Sequence, residues 1–257
     1  MARYRETKWL SKNKKEIIYN VKPQDYHDFV IEIITNCDLK ELRSFYSFLN
    51  KNEKLKHLLA RTKIENPSQL CITSICAQAY SILGQRTPHE NILLWVQMTL
   101  ESNNERINYY IRKKNEFEKN RLLSNIDECH LILNEIEHKF GYSWWAIESR
   151  LSLIQDTEGK KQRVKYIREL ISISKKRGIF YWVAQELSEK NDEKTQEHRY
   201  CDRIKENFDS LDIPKTWSDN LYFRTTRRND TQALPTLILE SFGNIIDLYR
   251  INLKMQA

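Results

Sequence analysis

Five glycines and five prolines among 257 residues leave this chain few places to reverse direction sharply. A sandwich, a barrel or a doubly wound sheet turns roughly every ten residues and draws on such residues to do so. Helices need them only at their ends. The scarcity therefore selects an all-α fold. Hydrophobic residues make up 40% of the chain and aromatic residues 11%, enough for a real core.

Apolar spacing carries the expectation along the chain. Residues 24–35 and 38–50 each begin near an Asp or Pro, and the second places Leu39, Leu42, Phe45, Tyr46 and Leu49 on one helical face. Glu53 to Lys63 continues the pattern with Leu55, Leu58 and Leu59. Pro67 opens a nearly uncharged helix that stops at Gly84, and Pro88 opens another with Ile92, Leu93, Trp95, Val96 and Leu100. The Asn103-Asn104 pair breaks it. From Ile107 to Phe140 apolar residues recur without Gly or Pro, which predicts one long helix or two nearly collinear ones.

Sliding the chain by 37 residues superposes Leu133 on Leu170, Ile136 on Ile173, Gly141 on Gly178 and Trp145 on Trp182. Each copy runs from a helix through a Gly, suited to a C-cap, into an aromatic-led helix. The stretch SWWAIESRLSLI, the turn QDTEG, then KKQRVKYIRELISIS and GIFYWVAQELSEK resembles the tetratricopeptide class of helix-turn-helix repeats over about residues 130–190. Trp144, Ile147 and Leu151 take the aromatic and the two apolar places, and Trp182 restarts the pattern. Glu148 stands where that family has Gly, no Pro closes the repeat, and the spacing is 37, not 34. The resemblance implies a solenoid-like array of antiparallel helix pairs, with a less regular C-terminal segment after it, and protein binding on a concave face.

Residues 188–198 contain no apolar side chain and mark the best internal boundary. The chain divides into an N-terminal helical region (1–104), a helical-repeat-like region (105–190) and a C-terminal region (191–257). In the last, Tyr200 to Phe208 suits a short helix, and Ile213 to Thr231 lacks helical periodicity and reads as an ordered loop or small hairpin. Pro235 opens a final apolar helix, interrupted by Gly243, that needs something to cover it.

The basic N-terminal stretch has no uninterrupted apolar run, so it is neither a signal peptide nor a membrane span. Five irregularly spaced Cys leave one unpaired in any disulfide scheme, which favours a reducing, cytoplasmic interior. Abundant Ile, Lys and Asn match AT-rich coding, an association with bacterial or mobile-element origin and with antiviral defence.

No phosphate-cradling loop, nucleophile elbow or HExxH motif is present, and no His follows an Arg at the spacing of helical ribonucleases. Cys129-His130 with His198 and Cys201 has the ligand types for zinc but not the spacing, and Cys129 reads as a small core hydrophobe. Asp127-Glu128 and Glu186 with Glu189 read as solvated surface charge. The sequence thus assigns no catalytic residue, metal, cofactor or small-molecule substrate.

Charge is the sharper feature. The net charge is +7, and the segment 160–177 alone holds eight basic residues against one acid, Glu169. On a helical wheel Lys161, Lys165, Arg168 and Lys175 fall within about 80° of one another, opposite Val164, Tyr166, Ile167, Leu170, Ile171 and Ile173. A second cluster sets Arg224, Arg227 and Arg228 beside Trp217, Tyr222 and Phe223. Such surfaces dock acidic proteins or track phosphates, and Lys-rich faces are also ordinary solvated helix surface. The expectation is an interaction subunit that binds a protein partner or a second copy of itself, with DNA or RNA as the alternative ligand.

Overall fold

The computed structural model describes residues 32–52, 89–173, 179–190, 195–210 and 244–256, together with Ser218, Tyr222, Thr225 and Thr226. All secondary structure among the described residues is helical, so the fold class is all-α.

Residues 32–36 form a helical turn that leads into α1 (Leu39–Lys51). Asp38 caps α1 by accepting the Glu41 N–H at 2.8 Å, which satisfies one of the amides that a helix start leaves without a partner. The expected apolar face buries Leu42, Phe45, Tyr46 and Leu49, while Leu39 stays partly exposed. That face packs on α2 (His89–Ser102). Tyr46 meets Trp95 edge-on at 5.2 Å and donates its hydroxyl to the Met98 carbonyl at 2.7 Å. Buried Asn91 donates to the carbonyls of Ile34 and Cys37, both at 2.8 Å, and so ties α2 to the preceding turn. Leu93, one of the apolar residues of this helix, is exposed.

Asn103 separates α2 from α3 (Asn104–Leu122), as its sequence predicts. Ile107 to Phe140, expected as one long helix or two collinear ones, is instead a hairpin. The chain reverses at Leu123 to Asn125, and α4 (Ile126–Phe140) returns antiparallel along α3. Ser124 takes a left-handed φ of 59° without being Gly. Asn125 closes the turn by donating its N–H to the Asn120 carbonyl at 2.9 Å and its side-chain amide to the Asn120 side chain at 3.0 Å. Short polar side chains can thus replace Gly where they satisfy the turn locally.

Gly141, at φ 74°, ends α4 and bonds back to Glu137, as the C-cap reading expects. Ser143 then caps α5 (Trp144–Thr157). Gly159, at φ 81°, joins α5 to α6 (Lys160–Ile173), followed by α7 (Ile179–Lys190) and α8 (Glu197–Asp209). Each helix from α3 to α8 packs on the next, and α5 also touches α7.

Helix α5 is buried on two sides. Trp145, Ala146 and Leu153 join the core built by α1 to α4, whereas Ile147, Leu151 and Ile154 lie outside that core, buried on the opposite side of the helix. The final helix, α9 (Ile245–Gln256), finds its cover in the first core: Ile245, Ile246, Leu248 and Ile251 are buried where α9 packs on α2, α3 and α5. Asn244 caps it through the Ile246 N–H at 2.9 Å and donates to the Phe140 carbonyl at 2.7 Å. Asp247 accepts the Trp144 N–H at 3.1 Å, so one carboxylate serves the start of α5 as well as the first turn of α9.

The stretch 213–231, expected as a loop or hairpin, is helical at Ser218, Tyr222, Thr225 and Thr226. Thr225 and Thr226 both donate their hydroxyls to the Tyr222 carbonyl, at 3.0 and 2.8 Å, a local bonding that helical periodicity of apolar residues does not reveal. The expected helices over 53–63 and 67–84, the Trp182 side chain and the Pro235 start lie outside the described residues.

Candidate functional site

The basic helix α6 has one packed face and one bare one. Leu170 and Ile167 are buried, and the Tyr166 hydroxyl is enclosed, with burial raising its pKa above the ordinary tyrosine value. The Arg150 guanidinium of α5 lies 6.0 Å from the Tyr166 ring centre. Lys161, Lys165 and Arg168 are exposed at positions i, i+4 and i+7, a row about 10 Å long at the helical rise. Among the described residues none of the three meets a carboxylate within ion-pair distance. Among the described residues these three cations thus stand without counter-charges on the face of α6 opposite its buried side chains.

Arg163 is not part of that row. It is only 3% exposed, among the residues that face the neighbouring helices, and so adds nothing to the exposed charge although it belongs to the same basic segment. Lys175, Arg224, Arg227 and Arg228 lie outside the described residues. Tyr222, of the same sequence cluster, is buried, with the Lys205 ammonium 5.9 Å from its ring centre, so this aromatic does not offer a free stacking face.

Two buried charges escape a reading of the sequence. Arg150, 8% exposed, donates to both oxygens of Glu137 at 2.9 and 2.7 Å and to Asn134 at 2.8 Å, locking α5 to α4 beneath α6. Its position beside Ile147, Leu151 and Ile154 on one wheel face is the available signal. Glu186, expected to be solvated, is 6% exposed. Asn207 donates to it at 3.0 Å, Arg203 lies 3.4 Å away and also pairs with Glu189, and burial raises its carboxyl above the ordinary value. Asp127 and Glu128, in contrast, are not buried, as expected.

The zinc-type residues do not converge. Cys129 is fully buried with its thiol 3.7 Å from the Phe117 carbonyl, and burial pushes that thiol's pKa up. Cys201 is buried on α8 while His198 is exposed. Among the described residues no three His, Cys, Asp or Glu gather as metal ligands, and no helix is long and apolar enough to cross a membrane. No family model, curated protein or solved structure matches the chain.

Proposed function

We propose that this chain is a non-catalytic helical interaction subunit that docks an acidic protein surface on the exposed face of α6. The carrying observation is the row Lys161, Lys165 and Arg168, exposed and without carboxylate partners among the described residues, on a helix whose other face is packed. The neighbour-to-neighbour packing of α3 to α8 supports an array of helix pairs, the architecture that presents extended surfaces to protein partners. A protein surface suits the row better than a nucleic-acid strand because the row itself carries no stacking ring: the one aromatic of the helix, Tyr166, lies on the packed side with its hydroxyl enclosed.

The test is charge reversal. Lys161→Glu, Lys165→Glu and Arg168→Glu together leave the packed face intact, so the variant folds with a stability change of about 0.5 kcal/mol per site or less. Expressed with a tag in the native host, the wild-type chain retains an acidic partner that the triple variant loses, mainly through slower association. If the row instead tracks phosphates, the purified wild-type chain binds labelled duplex or single strands. Three contacts then give a log-affinity against log-salt slope of about −2.7 on duplex DNA. That result, or retention of every partner by the variant, overturns the reading.

A further inference from the structure

A second surface, distinct from the α6 row, lies between α3, α5, α7 and α9. These helices enclose an open groove of about 990 Å³, with Lys114, Phe117 and Leu122 on one wall, Trp145 and Ser149 on another, and Arg250 facing them from α9. Along α3 it runs from Lys114 to Leu122, about 12 Å at the helical rise, which three or four extended residues would span. Phe117 and Trp145 form a closed floor, being almost wholly buried, so the groove is shut toward the core. Leu122, 87% exposed, supplies apolar contact at one end.

Among the described residues, the charges lining the groove are paired with one exception. Lys114 bonds Glu118 at 2.6 Å, Lys190 bonds Glu148 at 2.9 Å, and Arg121 bonds Asp156 and, at 2.7 Å, the Ser152 hydroxyl. Arg250, half-buried on α9, has no carboxylate partner among the described residues, and the Ser149 hydroxyl bonds to none of them either. A planar guanidinium without a partner in a sheltered groove matches one carboxylate, which it can hold through two parallel bonds. Glu118 and Glu148 on the same walls oppose a run of phosphates, so a nucleic-acid strand fits the charge pattern poorly.

We propose that this groove binds a short extended peptide segment carrying an acidic side chain, with Arg250 holding the carboxylate and Leu122 contacting a neighbouring apolar side chain. The acid is a single anchor, because the other cations of the groove already have acids of their own. Held against half-buried Arg250, the pair is screened less than a fully exposed one. The groove binds its peptide whether or not the α6 face docks a partner.

Selection of a random displayed peptide library on the full-length chain tests it. Wild-type protein should enrich peptides that share an Asp or Glu next to an apolar residue. A synthesised winner should lose about tenfold to a hundredfold in affinity against Arg250→Gln, and selection on Arg250→Glu should enrich Lys or Arg at that position. Ser149→Trp, which fills the groove from its wall, should abolish binding, while the α6 triple reversal should leave it unchanged. Circular dichroism melts of each variant separate lost binding from lost folding. Failure to enrich any acidic peptide on folded wild-type protein overturns the proposal. So does binding indifferent to Arg250 and Ser149, or equal competition by millimolar inorganic phosphate, which would make the site a simple anion contact.

Discussion

Trp145→Ala removes the side chain on which α3 and α5 meet. Trp145 is 5% exposed and stands edge-on to Tyr110 at 5.3 Å and to Phe117 at 5.6 Å. Tyr110 in turn touches Phe140 and Tyr249, so the indole belongs to an aromatic cluster that joins α3, α4, α5 and α9. A buried Trp removes roughly 200 Å² from water, worth about 5 kcal/mol at about 25 cal/mol per Å². The Ala methyl and a denatured chain that is already partly compact reduce that figure, and the two edge-on ring contacts add to it. The net expectation is about 4 kcal/mol, within the usual range for Trp→Ala in a core. Urea unfolding followed by far-ultraviolet circular dichroism should show a large fall in midpoint with little change in slope. A loss under about 1 kcal/mol would refute the claim that this cluster holds α9 and the α3–α4 hairpin together. If the 37-residue repetition marks equivalent positions, Trp182→Ala should cost a similar amount.

Arg150→Ala strands the Glu137 carboxylate between α4 and α5 and should cost about 3 to 5 kcal/mol by denaturant unfolding, whereas Arg150→Met with Glu137→Leu should recover most of it. Glu186 has its carboxyl raised by burial, so between the ordinary and the raised value the native chain holds more protons here than the unfolded one. The stability from this group is complete at lower pH and is lost as pH rises through the raised value. Glu186→Gln should therefore be at least as stable as wild type at neutral pH, and the difference should shrink on acidification. A Glu186→Gln variant much weaker at neutral pH and equal to wild type at low pH, in denaturant melts at both, would show the opposite sign.

The α1 face and the α6 row are legible in the sequence because each depends on periodicity alone: Leu42, Phe45, Tyr46 and Leu49 are buried, and Lys161, Lys165 and Arg168 are exposed. The α3–α4 reversal is not, because Ser124 and Asn125 do what Gly normally does, and their ability to do it depends on the Asn120 side chain five residues back. Arg150 and Glu186 look like surface charge until their partners on neighbouring helices are known. A charge placed four residues from apolar neighbours on a buried face is the local trace they leave. The groove is illegible for a different reason: its walls come from four helices spread between Lys114 and Arg250, and only packing brings them together.

If the α6 row is an interface, lysine footprinting detects it whatever the partner is. Amine acetylation of the purified chain should modify Lys161 and Lys165 as readily as the exposed Lys40 and Lys51. In a fresh extract of the native host, Lys161 and Lys165 should become protected while Lys40 and Lys51 stay reactive, and nuclease treatment should leave the protection in place. Equal modification of all four lysines in extract and in isolation would contradict a docking role for α6.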